Sequence, residues 1–160
     1  MKTIVLAACL SLFSFGSHSQ IEGGTFLVGG SLMFNHHRPA SSDTLSSAST
    51  LFTVNPQIGM AFADNFVAGA WLQFSSFTNT SSWGVGPFVR YYMNNFFVQL
   101  GYGYTRTGDT GNSLVDVELG YAIFLNDNVA LEPAAYYNQY FNGRGMDLGA
   151  KIGLQVYLNR

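Results

Sequence analysis

The chain has 160 residues, a formal net charge of −2, 10% charged and 16% aromatic residues, and 18 glycines. That length supports one domain, and the composition is poor in helix formers. Lys2 and Lys151 are the only lysines, so a cationic surface for phosphates has almost no material and no nucleic-acid partner is expected.

Residues 1–19 read as a secretory signal peptide. Lys2 supplies the positive n-region, 4–15 a short apolar h-region, and Ser17 and Ser19 the small residues before cleavage at Gln20. The mature domain is then expected over 20–160. A rival reading takes Leu6-Ala7-Ala8-Cys9 as a lipoprotein box, but its h-region would be about five residues against the roughly 7–15 expected. Otherwise Cys9 leaves with the signal, and the mature chain, lacking cysteine, has no disulfide or thiolate chemistry. No later segment reaches the 18 or more apolar residues of a membrane-spanning helix, so a membrane location requires a closed barrel.

From residue 25 onward the hydrophobic period is two, the signature of strands whose successive side chains face opposite ways. Residues 25–35 set Phe26, Val28, Leu32 and Phe34 against Leu27, Ser31, Met33 and Asn35; 52–62 set Phe52, Val54, Ile58, Met60 and Phe62 against Thr53, Asn55 and Gln57. Residues 66–75 oppose Phe66, Leu72 and Phe74 to Trp71 and Gln73, and 83–92 oppose Trp83, Val85, Val89 and Tyr91 to Phe88, Arg90 and Tyr92. The phase persists through 96–105, with Phe96, Val98, Leu100 and Tyr104 opposite Phe97 and Gln99. In 115–124, Val115, Val117, Leu119, Tyr121 and Ile123 oppose Asp116 and Glu118. In 129–138, Val129, Leu131 and Tyr137 oppose Glu132 and Tyr136, and in 148–158 Leu148, Ile152, Leu154, Val156 and Leu158 oppose Lys151, Gln155 and Tyr157. The charged residues within these eight strands share one face, and the other face is apolar.

A water-soluble protein would show the opposite arrangement. The strand glycines other than Gly30 also fall on the charged face, where a narrow barrel needs room for Trp71, Phe88, Tyr92, Tyr136 and Tyr157. A filled lumen, not a pore, is expected. Tight turns are expected at Ala63-Asp64-Asn65, Met93-Asn94-Asn95 and Asn126-Asp127-Asn128, and longer external loops at 36–49, 76–82, 106–112 and 139–146. On the outward face, Phe26, Phe62, Phe66, Tyr91, Phe96 and Tyr121 lie near the turn ends, and Phe34, Phe52, Phe74, Trp83, Tyr104 and Tyr137 near the loop ends, as two lipid-facing girdles would. Pro56, Pro87 and Pro133 each remove a ladder N–H, so broken pairing is expected beside them.

The stretch Asn55-Pro56-Gln57-Ile58-Gly59-Met60-Ala61-Phe62-Ala63-Asp64-Asn65-Phe66-Val67-Ala68-Gly69-Ala70 resembles the strand, Asp-Asn turn and strand of the small outer-membrane β-barrel domain family, the size class of OmpX and the barrel part of OmpA. The resemblance covers 24–158. It implies an all-β, eight-stranded antiparallel up-and-down transmembrane barrel in a bacterial outer membrane, with both termini periplasmic. Outer-membrane lipid and the barrel-insertion machinery are its implied partners; members usually end on an aromatic residue, and here Tyr157 is followed by Leu158-Asn159-Arg160.

The inward set Arg90, Asp116, Glu118, Glu132 and Lys151 is expected to form a structural ion network, because an unpaired buried charge is costly. Hairpin pairing should bring Glu132 beside Lys151, with Arg90 at a similar depth. No catalytic residue, cofactor or metal site is expected. The alternative of a lipid-modifying barrel enzyme would draw on His36, His37, Ser41, Ser42 and Asp43, yet adjacent histidines project oppositely from a strand and no spacing is diagnostic. Asp109-Thr110-Gly111, Gly143-Arg144-Gly145 and Asn79-Thr80-Ser81 read as loop chemistry. A further alternative is a soluble periplasmic barrel with the parity inverted and an apolar ligand among the aromatics. The favoured function is non-enzymatic: envelope integrity or surface interaction through the external loops, which could meet an external ligand.

Overall fold

The computed structural model describes residues 21–37, 49–77, 80–141 and 145–159; the segment expected to be a signal peptide, with Cys9, lies outside them. The strands are β1 (Phe26–His37), β2 (Ser49–Ala63), β3 (Phe66–Phe77), β4 (Thr80–Met93), β5 (Phe96–Thr107), β6 (Thr110–Tyr121), β7 (Ile123–Phe124), β8 (Val129–Tyr140) and β9 (Met146–Leu158). Neighbours in the order β6-β5-β4-β3-β2-β1-β9-β8 pair antiparallel, and β6 returns to β8, so the sheet closes on itself. β7 also pairs with β8, in the register of β6: Gly120 faces Ala134 and Ile123 faces Leu131. The two segments form one interrupted stave, and the fold is an eight-stranded antiparallel barrel.

Three interruptions of the ladders have a proline beside them, and a fourth irregularity is the register shift between Ala61 and Ala63, next to the β2–β3 turn. Between β2 and β3 the pairing skips Asn55 and Pro56; between β4 and β5 it skips Gly86 and Pro87; the β6/β7 break lies opposite Glu132 and Pro133. On its other side each proline keeps its partner, Gly30, Ala70 and Ile152 respectively. Proline has no N–H to donate, so one neighbouring ladder is lost and the other survives.

At one end of the barrel the connections are Asp64-Asn65, Asn94-Asn95 and residues 125–128, as expected from their Asn and Asp content. Asn65 and Asn94 take φ of 64° and 57°, a conformation asparagine tolerates better than most side chains. Asn126 Oδ1 accepts from the Asn128 and Val129 amides at 2.9 and 2.8 Å. The opposite end differs from the sequence-based expectation. Segments 76–82 and 106–112 are mostly strand, with Ser75 opposite Ser82, Thr105 opposite Asn112 and Thr107 opposite Thr110, leaving a two-residue turn at Gly108-Asp109. In 139–146 only 141–145 connects, and 36–49 pairs at both ends, with His37 opposite Ser49. Ser and Thr look like loop residues by polarity, but a hairpin surrounded by water accepts them on both faces.

The outward side chains Val28, Leu32, Ile58, Leu72, Leu100, Leu119, Ile152 and Leu154 are exposed, whereas their inward neighbours are mostly buried. Inside, aromatic rings lie on glycines. A Cβ on Gly103 would stand 2.2 Å from Trp71 Cζ2, one on Gly69 2.8 Å from Phe88, and one on Gly120 2.3 Å from Phe97. The turn end is sealed by an apolar plug of Ile21, Leu27, Ala61, Val67, Tyr92, Phe97 and Tyr157. Ile21 belongs to the short segment before β1 and is tied to the β2–β3 turn: its N–H donates to Asn65 Oδ1 at 3.2 Å and its carbonyl accepts from the Asn65 amide at 2.8 Å.

Replacing Gly103 with Val should force Trp71 from its seat and lower the unfolding free energy by about 1–3 kcal/mol, the range for overpacking a tight interior. Urea unfolding followed by tryptophan fluorescence checks it, and an unchanged midpoint would mean that the glycine bed is not needed.

Candidate functional site

Arg90 sits on β4 with inward parity, 1% exposed, and its guanidinium is hydrogen-bonded to side chains of three other strands. Nε donates to Gln99 Oε1 on β5 at 2.8 Å, and Nη2 to Gln57 Oε1 on β2 at 3.3 Å. Nη1 donates to Glu132 Oε2 on β8 at 2.7 Å and to the Tyr92 hydroxyl at 2.9 Å. The other Glu132 oxygen accepts from the Tyr157 hydroxyl of β9 at 2.5 Å and from Tyr92 at 3.3 Å. The guanidinium also lies 4.3 Å from the centre of the Phe97 ring, where a cation–π attraction operates. Planar, multidentate and always charged, arginine suits this role better than lysine.

A second ion pair, Lys151 with Glu118, joins β9 to β6. The expectation that Glu132 stands beside Lys151 is corrected here. In the β8–β9 register Lys151 faces Ala134, and Glu132 faces Gly153. Strand stagger around a barrel lets Glu132 reach Arg90 across the lumen instead. Asp116 joins neither pair. The expectation also missed Gln57, Gln99, Tyr92 and Tyr157 as hydrogen-bond partners. Their inward parity was visible, but their common depth depends on the register of several strands.

The charged face is therefore inside and the aromatic face outside, which overturns the inverted, ligand-carrying alternative. Phe26, Phe62, Phe66, Tyr91 and Phe96 are exposed near the turn end, and Phe74, Trp83 and Tyr104 near the other; Tyr121 and Tyr137 are partly exposed. Outside rings meet in pairs: Phe66 and Tyr91 with centroids 4.5 Å apart, Phe96 and Tyr121 at 4.8 Å, and Trp83 and Tyr104 at 6.1 Å. The backbones of Phe34 and Phe52 are paired, but their side chains lie outside the described set. So do the side chains of His36 and His37, and all of Ser41, Ser42, Asp43, Asn79, Gly143 and Arg144. Asp109 occupies a turn and stands 3.8 Å from Arg106 at the exposed end.

Among the described residues, the lumen holds two buried ion pairs, and the Arg90 layer is filled by side chains hydrogen-bonded to one another. Its chemistry is that of a brace. No family model matches the chain, and no curated protein matches it in sequence. Among solved structures, the crystal structure of the outer membrane protein OprG from Pseudomonas aeruginosa is similar, at 12% identity and a TM-score of 0.49 over 84% of this chain and 90% of that one.

Removing one member of a buried pair leaves the other uncompensated, so Glu132→Gln should cost about 3–5 kcal/mol of stability in detergent. A double Arg90→Met, Glu132→Leu variant should recover most of that loss, since a well-packed apolar replacement removes both desolvation penalties. Equal stability of wild type and Glu132→Gln in urea titrations would exclude the brace.

Proposed function

We propose that this chain is a non-enzymatic outer-membrane barrel protein, anchored by its apolar belt and closed inside, that contributes to envelope integrity or to surface interaction through its extramembrane hairpins. The observation that carries this reading is the union of a closed sheet with a continuous apolar exterior around buried ion pairs. Soluble proteins rarely expose so large an apolar surface, and closure leaves no unpaired strand edge in lipid. Ile58 and Leu119, each 58% exposed, are outward residues of this belt. The exterior aromatic pairs near both ends suit the two bilayer interfaces.

In this reading outer-membrane lipid and the insertion machinery are the partners. The end bearing the Asn-rich turns, Ile21 and Leu158 faces the periplasm, and the end with the 38–48 connection faces outward, where an external ligand would be met. The Arg90 brace and the apolar plug argue against passage of solutes.

The test is gel mobility of the detergent-extracted mature protein with and without boiling, together with its partition between membrane and soluble fractions. A heat-dependent shift in the membrane fraction is expected. Recovery as a soluble protein without detergent would overturn the assignment. Leu100 lies midway along β5 between Phe96 and Tyr104, which places it near the middle of the belt. Leu100→Arg should then cost about 2–4 kcal/mol in lipid. A neutral effect in a vesicle refolding titration would mean that this face does not meet hydrocarbon.

A further inference from the structure

The described lumen holds three buried acids, Asp116, Glu118 and Glu132, and two buried bases, Arg90 and Lys151, so one negative charge is left over (3 − 2 = 1). Glu132 uses Arg90 and Glu118 uses Lys151, which leaves Asp116. It is 6% exposed, and neither carboxylate oxygen makes a hydrogen bond of good geometry, although Gln99, Trp71 and Lys151 stand close by. Oε2 of Glu118, a residue 5% exposed, is also without a partner. Both acids line one small cavity, shared with Asn55, Gln73 and Asn138 and holding about 10 Å³ of free space. That is roughly the room one water-sized particle needs. A buried carboxylate with no ion-pair partner of its own is costly, and a bound positive charge is a direct remedy.

We propose that this cavity binds one small monovalent cation, held by Asp116 and the free oxygen of Glu118, with the side-chain amide oxygens of Asn55, Gln73 and Asn138 available to complete the shell. The chemistry is that of a hard ion among oxygen ligands. The charge left over matches a single positive charge. The inference rests on the lumen alone and holds whether or not the barrel lies in a membrane.

The refolded mature protein is melted in zwitterionic detergent at constant ionic strength in lithium, sodium, potassium or ammonium chloride, against choline and N-methylglucamine chlorides, whose cations are too large to enter. At least one small cation should raise the midpoint saturably, by roughly 4–6 °C once in tenfold excess over its Kd. Asp116→Asn should abolish the rise, and Asp109→Asn, in an exposed turn, should keep it. Equal wild-type midpoints in all six chlorides would overturn the proposal, leaving Asp116 with a proton or an ordinary water; so would an undiminished rise in Asp116→Asn. The wild-type series decides the question even where the variant does not refold.

Discussion

The pairing of β1 with β9 is the constraint on which the rest of the molecule depends, for without it two strands would carry a row of unpaired amides and carbonyls. Phe26 faces Leu158 and Phe34 faces Ala150, nine residues in continuous register. Once the ring is shut, backbone polarity is satisfied within the sheet except at the breaks already described, and each side chain has only two destinations. The exterior can be apolar because its main-chain groups are otherwise paired, and the interior must absorb the polar residues of the alternation.

That interior is narrow, and its contents are matched ring to glycine and cation to anion. Trp71, Phe88 and Phe97 lie where Gly103, Gly69 and Gly120 leave space, so small residues set the positions of large ones. Arg90 has no route to water and is compensated by Glu132, two glutamines and a tyrosine drawn from different strands. Long-range attraction in a medium of low dielectric makes such a pair strong and its disruption expensive. It also specifies shear, since a slip of one strand by two residues would separate the partners while preserving the apolar exterior.

The prolines show how a defect is accommodated in a sheet without edges. Pro56, Pro87 and Pro133 each sacrifice one neighbouring ladder and keep the other. Gly30, a strand glycine with outward parity, lies opposite Pro56, where a Cβ would come within 3.1 Å of the proline Cα; Gly111, the other in the described strands, lies where a Cβ would meet the Tyr104 ring. Both exceptions in the glycine pattern thus have a local steric cause.

Parity was legible in the amino-acid order because it needs only a period of two: the inward positions of Arg90, Asp116, Glu118, Glu132 and Lys151 follow from it, as do the strands, the Asn-containing turns and the proline breaks. Hairpin length at the other end was less legible, because the Ser and Thr residues of 75–82 and 105–112 satisfy loop and strand chemistry equally well when both faces are wet. Which charge meets which was decided only by the tertiary structure. Lys151 faces Ala134 in its hairpin yet pairs with Glu118, and Glu132 crosses to Arg90, because depth in a barrel is set by stagger accumulated around the whole ring. The identity of the unpaired acid, Asp116, belongs to the same class of facts: sequence shows an excess of one carboxylate, and only the register of eight staves says which one it is.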